Sequence, residues 1–489
     1  MTYTPDKNSV SQHVVPDWYH DAKLGIFIHW GLFSVPAFAV KRKYLESREE
    51  EDHYVNNPYV SWYLNALRIS ESPTQKFHRK NYGKDFAYDD FVPLFNEEIQ
   101  KWNPGEMAEL FRKAGAHYVV LVTKHHDGFV LWPSKYLNPK KENYHANRDI
   151  VGELSDAVKS KGMKMGFYYS GVLDWSFNPN SILNEKGMLM NQIMPSEYNE
   201  YANNHWFELI DRYAPIILWN DIGYPWGTNI YEIFAYFYNK YPEGVINDRW
   251  IQMSENVINS LQSVPSEIIK KAETYILKWE ERALKRKKNK RTRIRKAVHY
   301  DFITPEYQTF SVILDQKWET TRGIGNSFGY NKLETEDDYM TSEELIRMFV
   351  DIVSKNGNLL LNVGPMADGT IPEIQRERLL DLGKWLAVNG EAIYGTRPWE
   401  RAEGTTLDGV DVRYTQNQEA LFVILLDKPK ENKVSVKSLK IEKSSRILLI
   451  SQDENLDWKQ EGENLTVSIP ESIEDSPAYA LKVSPKPVY

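Results

Sequence analysis

Asp221 closes the run Ile216-Ile217-Leu218-Trp219-Asn220-Asp221. A carboxylate there can attack or bind, and the indole of Trp219 can cover the apolar face of a sugar. Three aliphatic residues in succession read as a strand buried on both faces. Ile222, Gly223, Tyr224 and Pro225 read as the loop beyond it. The competing reading is that Asp221 only starts that turn. Cleaving a glycosidic bond takes two carboxyl groups, and in a retaining enzyme one is nucleophile and the other acid/base. Asp221 is the first choice for the nucleophile. From the residues alone its partner stays open between Glu306, in Phe302-Ile303-Thr304-Pro305-Glu306-Tyr307, and Glu319, in Lys317-Trp318-Glu319, with Asp127 as a third choice. Gly128 after Asp127 and Gly369 after Asp368 point to turn-capping roles for those two acids.

His29, His125 and His126 end two further apolar runs. Catalytic zinc wants three ligands in defined geometry, and neither H-x-H nor H-x-x-x-H occurs around them. Adjacent residues on a strand face opposite ways, so His125 and His126 cannot both point inward unless the strand has ended. No metal is expected. Imidazoles donate and accept at once, which suits neighbouring sugar hydroxyls, with Trp30, Tyr168 and Trp219 supplying apolar surface beside them.

Six apolar runs must position these groups. They span residues 24–28, 118–122, 163–167, 216–218, 245–246 and 359–361, and each ends in polar or aromatic residues. Amphipathic helical stretches lie between them at 104–114, 151–161, 197–211, 230–238 and 342–353. Alternating strand and helix implies parallel strands with helical crossovers. Functional residues at strand C-termini then favour a (β/α)8-like barrel over a doubly wound open sheet, for which a glycine-rich phosphate loop is missing. A helix over 371–388 should end at Asn389-Gly390 as a C-cap. From about residue 398 short strand-like pieces replace helices, which reads as a β-sandwich. The expected organisation is a barrel over 1–397, carrying an insertion at about 251–300, and a C-terminal β-sandwich over 398–489.

Bulk composition narrows the partners. The 489 residues carry 68 acidic and 60 basic side chains, for a net charge of -8. That balance does not suggest nucleic acid or anionic lipid. Residues 282–296 concentrate ten Lys or Arg in fifteen positions, after a helical stretch at 266–281. Without stacking aromatics this reads as a solvated insertion or a rim or subunit contact, not a nucleic-acid site. The chain has no cysteine, so thiolate chemistry is excluded. No basic stretch followed by an apolar one opens the sequence, and no long apolar segment suits a membrane span. The default expectation is a cytoplasmic protein; a homo-oligomer is left open.

The segments KLGIFIHWGLFSVP, KHHDGFVLW, FYYSGVLDW, ILWNDIGYP, NDRW, DFITPEY, WETTRGIGNSFGYN and NGNLLLNVGPMADGTIP run in order from about residue 20 to 395. In combination they resemble the α-L-fucosidases of glycoside hydrolase family twenty-nine. The resemblance implies a retaining exo-enzyme that releases terminal α-L-fucose from glycans or glycosides without a cofactor. It makes Asp221 the nucleophile and Glu306 the acid/base. It makes His29, His125, His126, Tyr168, Trp219 and Arg249 fucose-binding residues, with Phe27 and Phe328 near the sugar methyl group. Two departures stand out. Ser61 occupies the place of a sugar-binding glutamate, so that either a neighbouring acid such as Glu50, Glu51 or Asp52 substitutes or one hydroxyl contact is weaker, and His53 stands near where relatives supply an aromatic. The stretch 251–300 is also much longer than the family norm.

Overall fold

Residues 2–43, 46, 52–272, 275 and 298–487 are described by a computed structural model. Seven parallel strands form the first sheet. They are β1 (Leu24–Ile28), β2 (Tyr118–Lys124), β3 (Lys164–Ser170), β4 (Ile217–Asp221), β5 (Val245–Ile246), β6 (Trp318–Gly323) and β7 (Gly357–Val363). Their order is β5-β4-β3-β2-β1-β7-β6. Parallel bridges Asn247–Phe302 and Ile303–Trp318 join the two edges. The Asp301 amide donates to Ile246 O at 2.8 Å, and the Glu319 amide to Ile303 O at 2.9 Å. Phe302-Ile303 is thus the eighth stave of a closed barrel. All seven residues of β2 and of β7 are buried, as strands covered on both faces must be.

Helices cover the outside, and their starts follow from capping chemistry. Asn103 caps Pro104–Lys113, whose proline sits in the first turn. Asp149 caps Ile150–Ser160. Thr341 and Glu344 form a reciprocal capping box for Ser342–Ser354. The helix expected over 371–388 is Glu373–Asn389, starting after Pro372. Gly390 does not cap it in the left-handed conformation: its φ is -60°, and it opens a short 3-10 turn, Gly390–Ala392. Inside the barrel, Gly25 leaves room for a large neighbour. A Cβ there would lie 2.2 Å from the Tyr118 ring. The helix Asp17–Ala22 plugs the N-terminal end with the buried Tyr19.

The C-terminal part contains β8 (Arg397–Thr405), β9 (Asp411–Gln416), β10 (Leu421–Leu425), β11 (Lys433–Val436), β12 (Arg446–Leu449), β13 (Glu454–Leu456), β14 (Trp458–Glu461), β15 (Asn464–Ser468) and β16 (Tyr479–Ser484). They form one sheet of six strands, ordered β13-β12-β16-β10-β9-β8, and one of three, ordered β11-β15-β14. Alternation decides which core each side chain joins. On β10, Leu421, Val423 and Leu425 join the apolar core of this part, whereas Phe422 and Ile424 pack into the barrel's. The six-stranded sheet therefore serves both bodies.

In the insertion, Ser254 caps a helix, Glu255–Leu261. The basic tract at 282–296 lies outside the described residues, as do Glu50 and Glu51. Among the described residues no helix is long and apolar enough to cross a membrane.

Candidate active site

The C-terminal ends of the barrel strands gather most of the residues singled out above. Asp221 is the last residue of β4 and 8% exposed. Its Oδ1 accepts from Arg249 Nη1 at 2.8 Å, and its Oδ2 from the Tyr168 hydroxyl at 2.8 Å. Burial alone would raise its pKa. The Arg249 charge, the nearby His126 and the two hydrogen bonds outweigh burial and hold the carboxyl below its ordinary value. Asp221 is therefore anionic at neutral pH.

Asn220 sets the mutual position of Asp221 and Arg249. Its Nδ2 donates to Arg249 O at 2.7 Å and to Gly223 O at 2.9 Å. Asn247, just beyond β5, returns two bonds to the Asn220 backbone. Gly171 admits this knot: a Cβ there would sit 2.1 Å from Gly223 O. The guanidinium of Arg249 also donates to Thr304 Oγ1 at 2.9 Å and Thr304 O at 3.0 Å, and reaches Glu306 Oε2 at 3.4 Å. Its carbon lies 4.8 Å from the Trp219 ring centroid. Glu306 Oε1 accepts from the Tyr59 hydroxyl at 2.8 Å. One guanidinium thus touches both carboxylates. Each acid is followed by a non-glycine residue in the left-handed region, Ile222 at φ 61° and Tyr307 at φ 52°. Such backbone costs roughly 1 kcal/mol or more and clusters at functional sites.

The three histidines are buried and adjacent. His29 and His125 meet edge to face with ring centroids 5.6 Å apart, and His125 and His126 lie 4.0 Å apart. Both members of the pair lie past the end of β2, which is why they can share one side. The buried ion pair of Lys124 with Asp174, at 2.7 Å, holds this turn, and the Trp175 amide donates to His126 O. Burial lowers the pKa of His29 to about 4 and of His126 to about 3, and takes His125 well below the ordinary value. All three are neutral at physiological pH. His29 Nδ1 faces Asn362 Oδ1 at 2.6 Å. His126 Nδ1 faces the Ser170 hydroxyl at 2.6 Å, whose own proton goes to Leu173 O. Both rings therefore carry hydrogen on Nδ1 and leave Nε2 as an acceptor. His125 Nδ1 is buried without a protein partner.

Aromatic side chains wall the pocket. Tyr168 stacks on Trp219 at 5.5 Å and 25°. Phe27 lies 4.6 Å from His29 edge to face, and Phe328 stacks on His29 at 4.8 Å and 17°. Trp30, in contrast, turns out of the pocket and packs against Phe95 and Trp102.

The other acids have different surroundings. Glu319 is fully buried and accepts from Tyr19, Tyr118 and Trp219 in the barrel interior. Asp127 accepts from the Tyr88 hydroxyl and the Phe129 amide, and Asp368 from the Thr370 amide, both at turns. Asp52 does not stand in for the missing glutamate: it is taken up by Arg42 at 2.7 Å and Asn56 at 2.6 Å. Ser61 is buried, and its amide donates to Phe328 O. Among the described residues, one trio has ligand atoms at metal-like spacing: His13, His299 and Asp301. It lies at the N-terminal end of β5, away from the pocket, and its atoms already bond to one another, to Tyr238 and to Pro242 O. Reading the sequence missed Tyr59, Asn362 and Ser170 as partners of site residues. Asn362 and Ser170 carried a signal, since each ends an apolar run as Asp221 does.

A family model described as alpha-L-fucosidase matches residues 1–391, and one described as alpha-L-fucosidase C-terminal domain matches 407–484. The tissue alpha-L-fucosidase of Rattus norvegicus is 31% identical over 480 residues, covering 96% of this chain and 89% of that protein. The human tissue alpha-L-fucosidase is 31% identical over 482 residues, covering 96% and 88%. The crystal structure of Thermotoga maritima alpha-fucosidase with a mechanism-based inhibitor superposes with a TM-score of 0.82 at 40% identity, covering 99% of this chain and 100% of that one. The same enzyme in complex with fucose gives a TM-score of 0.80 at 40% identity, covering 98% and 99%.

Proposed function

The chain belongs to the α-L-fucosidase family, and on that premise we propose that Asp221 is its catalytic nucleophile and Glu306 its acid/base. It is a glycoside hydrolase: an exo-acting α-L-fucosidase that retains configuration through a covalent fucosyl-enzyme. In the first step Asp221 Oδ attacks the anomeric carbon as the Glu306 carboxyl delivers its proton to the departing oxygen. In the second, Glu306 as carboxylate takes a proton from water, which displaces Asp221 and releases α-L-fucose. Atoms and charges balance with two carboxyl groups alone.

The observation that carries this assignment is the ionised Asp221 at the tip of β4, held by Arg249 and Tyr168, with Glu306 across the same guanidinium. The remaining roles follow from what each group offers. The free Nε2 atoms of His29 and His126 accept from sugar hydroxyls, and His125 Nδ1 supplies a further polar contact. Trp219, packed by Tyr168 and Arg249, borders the sugar site with apolar surface. Phe27 and Phe328 flank the His29 ring and make a dry wall for the methyl group that fucose carries in place of a hydroxymethyl.

The test is Asp221→Gly. Turnover of an aryl α-L-fucoside should fall on the order of 10³-fold, the scale of losing an activated nucleophile. Added azide should restore part of it by entering the vacated space and yielding a fucosyl azide of inverted configuration. Near-wild-type turnover without azide would remove Asp221 from the role.

A further inference from the structure

We infer that Glu319 is a positioning residue for the fucosidase reaction, holding the Trp219 indole on which both donors to Asp221 rest. The inference builds on the nucleophile assignment above. Trp219 has one polar atom, Nε1, and it donates to Glu319 Oε1 at 3.1 Å. Indole N–H is a donor and nothing else, so a buried Trp219 needs an acceptor at that point. Two further side chains pack against the same ring. The Arg249 guanidinium lies 4.8 Å from its centroid, and Tyr168 stacks with it at 5.5 Å. Those two residues are the donors that hold Asp221. A tilt of the indole therefore displaces both at once.

Glu319 is built to resist that tilt. Its Oε2 accepts from Tyr19 at 2.8 Å and Tyr118 at 2.5 Å. The three donors come from the plug helix Asp17–Ala22, from β2 and from β4. The glutamate thus ties the barrel floor to the strand that ends in Asp221. It does so at a cost: burial pushes its carboxyl up to about 6, against the three donors and the Lys317 ammonium. An apolar residue would avoid that desolvation, but it would leave the Trp219 N–H unpaired. Around Asp221 the titratable and charged groups are Arg249, Tyr168, His126 and His29, with Glu306 beyond the guanidinium. Glu319 touches none of these directly, so its influence passes through Trp219.

The test is a double-variant cycle read by kcat/KM across pH on an aryl α-L-fucoside. Glu319→Met removes the acceptor and keeps the volume; Trp219→Phe removes the indole N–H and keeps a ring. Each should lower kcat/KM on the order of 10²-fold, the scale of a small misplacement at a reacting centre. Each should also move the acidic limb to higher pH, because Asp221 is held less well as the anion. The double variant should be no worse than either single one. Glu319→Gln should stay close to wild type, since its carbonyl oxygen can keep Trp219 while its amide donates to the tyrosine hydroxyls. An unmoved acidic limb in a folded Glu319→Met, or losses that multiply in the double variant, would overturn the inference. Should Glu319→Met not fold, an unmoved limb in Trp219→Phe overturns it equally. Failure of azide rescue in Asp221→Gly would instead strike the nucleophile assignment, so the two failures are distinct.

Discussion

Replacing Arg249 with methionine removes a guanidinium that touches both proposed catalytic acids, and the structure says where the loss falls. The contact to Glu306 is long, at 3.4 Å, whereas that to Asp221 is 2.8 Å and reaches a carboxylate only 8% exposed. The two bonds to Thr304 anchor the fork without bearing on the chemistry. A charge-assisted hydrogen bond contributes about 1.5–3 kcal/mol, and stranding one partner of a buried ion pair costs about 3–5 kcal/mol. Arg249 is 22% exposed in its side chain, so solvent reaches the pair and the lower part of that span applies, about 2–3 kcal/mol. At about 1.4 kcal/mol per decade this is a loss of roughly 30–150-fold in kcat/KM. The loss should also depend on pH. Arg249 helps keep Asp221 below its ordinary pKa against the push of burial. Without it the carboxylate takes up its proton at higher pH, and the protonated form cannot attack. The acidic limb of kcat/KM therefore moves to higher pH, and the deficit shrinks as pH rises. Arg249→Lys supplies a point charge without the fork, and should show a smaller shift. The assay is hydrolysis of an aryl α-L-fucoside by wild type and both variants over the acidic and neutral range. A deficit of the same factor at every pH, with the limb unmoved, would mean that Arg249 binds sugar and does not tune Asp221.

Glu306→Ala should cripple hydrolysis of natural fucosides and cost far less with an activated aryl fucoside, whose leaving group needs little protonation; an equal loss on both would return the acid/base role to the other candidates. Stability should fall as pH rises above 6.5 because of His13. Burial opposes its protonation, but the 2.8 Å contact with Asp301 and the Pro242 carbonyl outweigh burial and raise its pKa above the ordinary 6.5. A raised folded pKa gives stability that is full below 6.5 and lost as pH climbs through the folded value. His13→Gln should flatten that decline in thermal melts taken across pH, and an unchanged slope would remove His13 as its cause.

What the sequence made legible was whatever repeats or sits in apolar surroundings. All six apolar runs lie on barrel strands, because a strand buried on both faces can hardly be written otherwise. The two remaining staves escaped notice for a physical reason. β6 reads Trp-Glu-Thr-Thr-Arg-Gly, since its inward residues include Glu319, and a polar barrel interior erases the apolar signature. Phe302-Ile303 is held by bridges alone and is too short to show a period. The same polarity hid the role of Glu319. Read as a carboxylate near aromatic residues, it looked like a candidate acid; its three donors come from residues 19, 118 and 219, and only the closed barrel brings those together.

The choice between Glu306 and Glu319 shows how far spacing can go. Both lie in the stretch that completes the barrel, and both have aromatic company, so residue type could not separate them. Direction can. Glu319 is the second residue of β6, near the N-terminal end of its strand, and its carboxylate is spent on donors within the barrel. Glu306 lies past the short stave, where Tyr59 and Arg249 reach it from the pocket side and a fifth of its side chain stays open to solvent. A general acid must meet a leaving group that arrives from solvent, and a buried glutamate beneath an indole cannot. On the proposed assignment the barrel uses two carboxylates of the same chemistry for opposite ends: one kept accessible to move a proton, the other shut in so that the ring above it does not move.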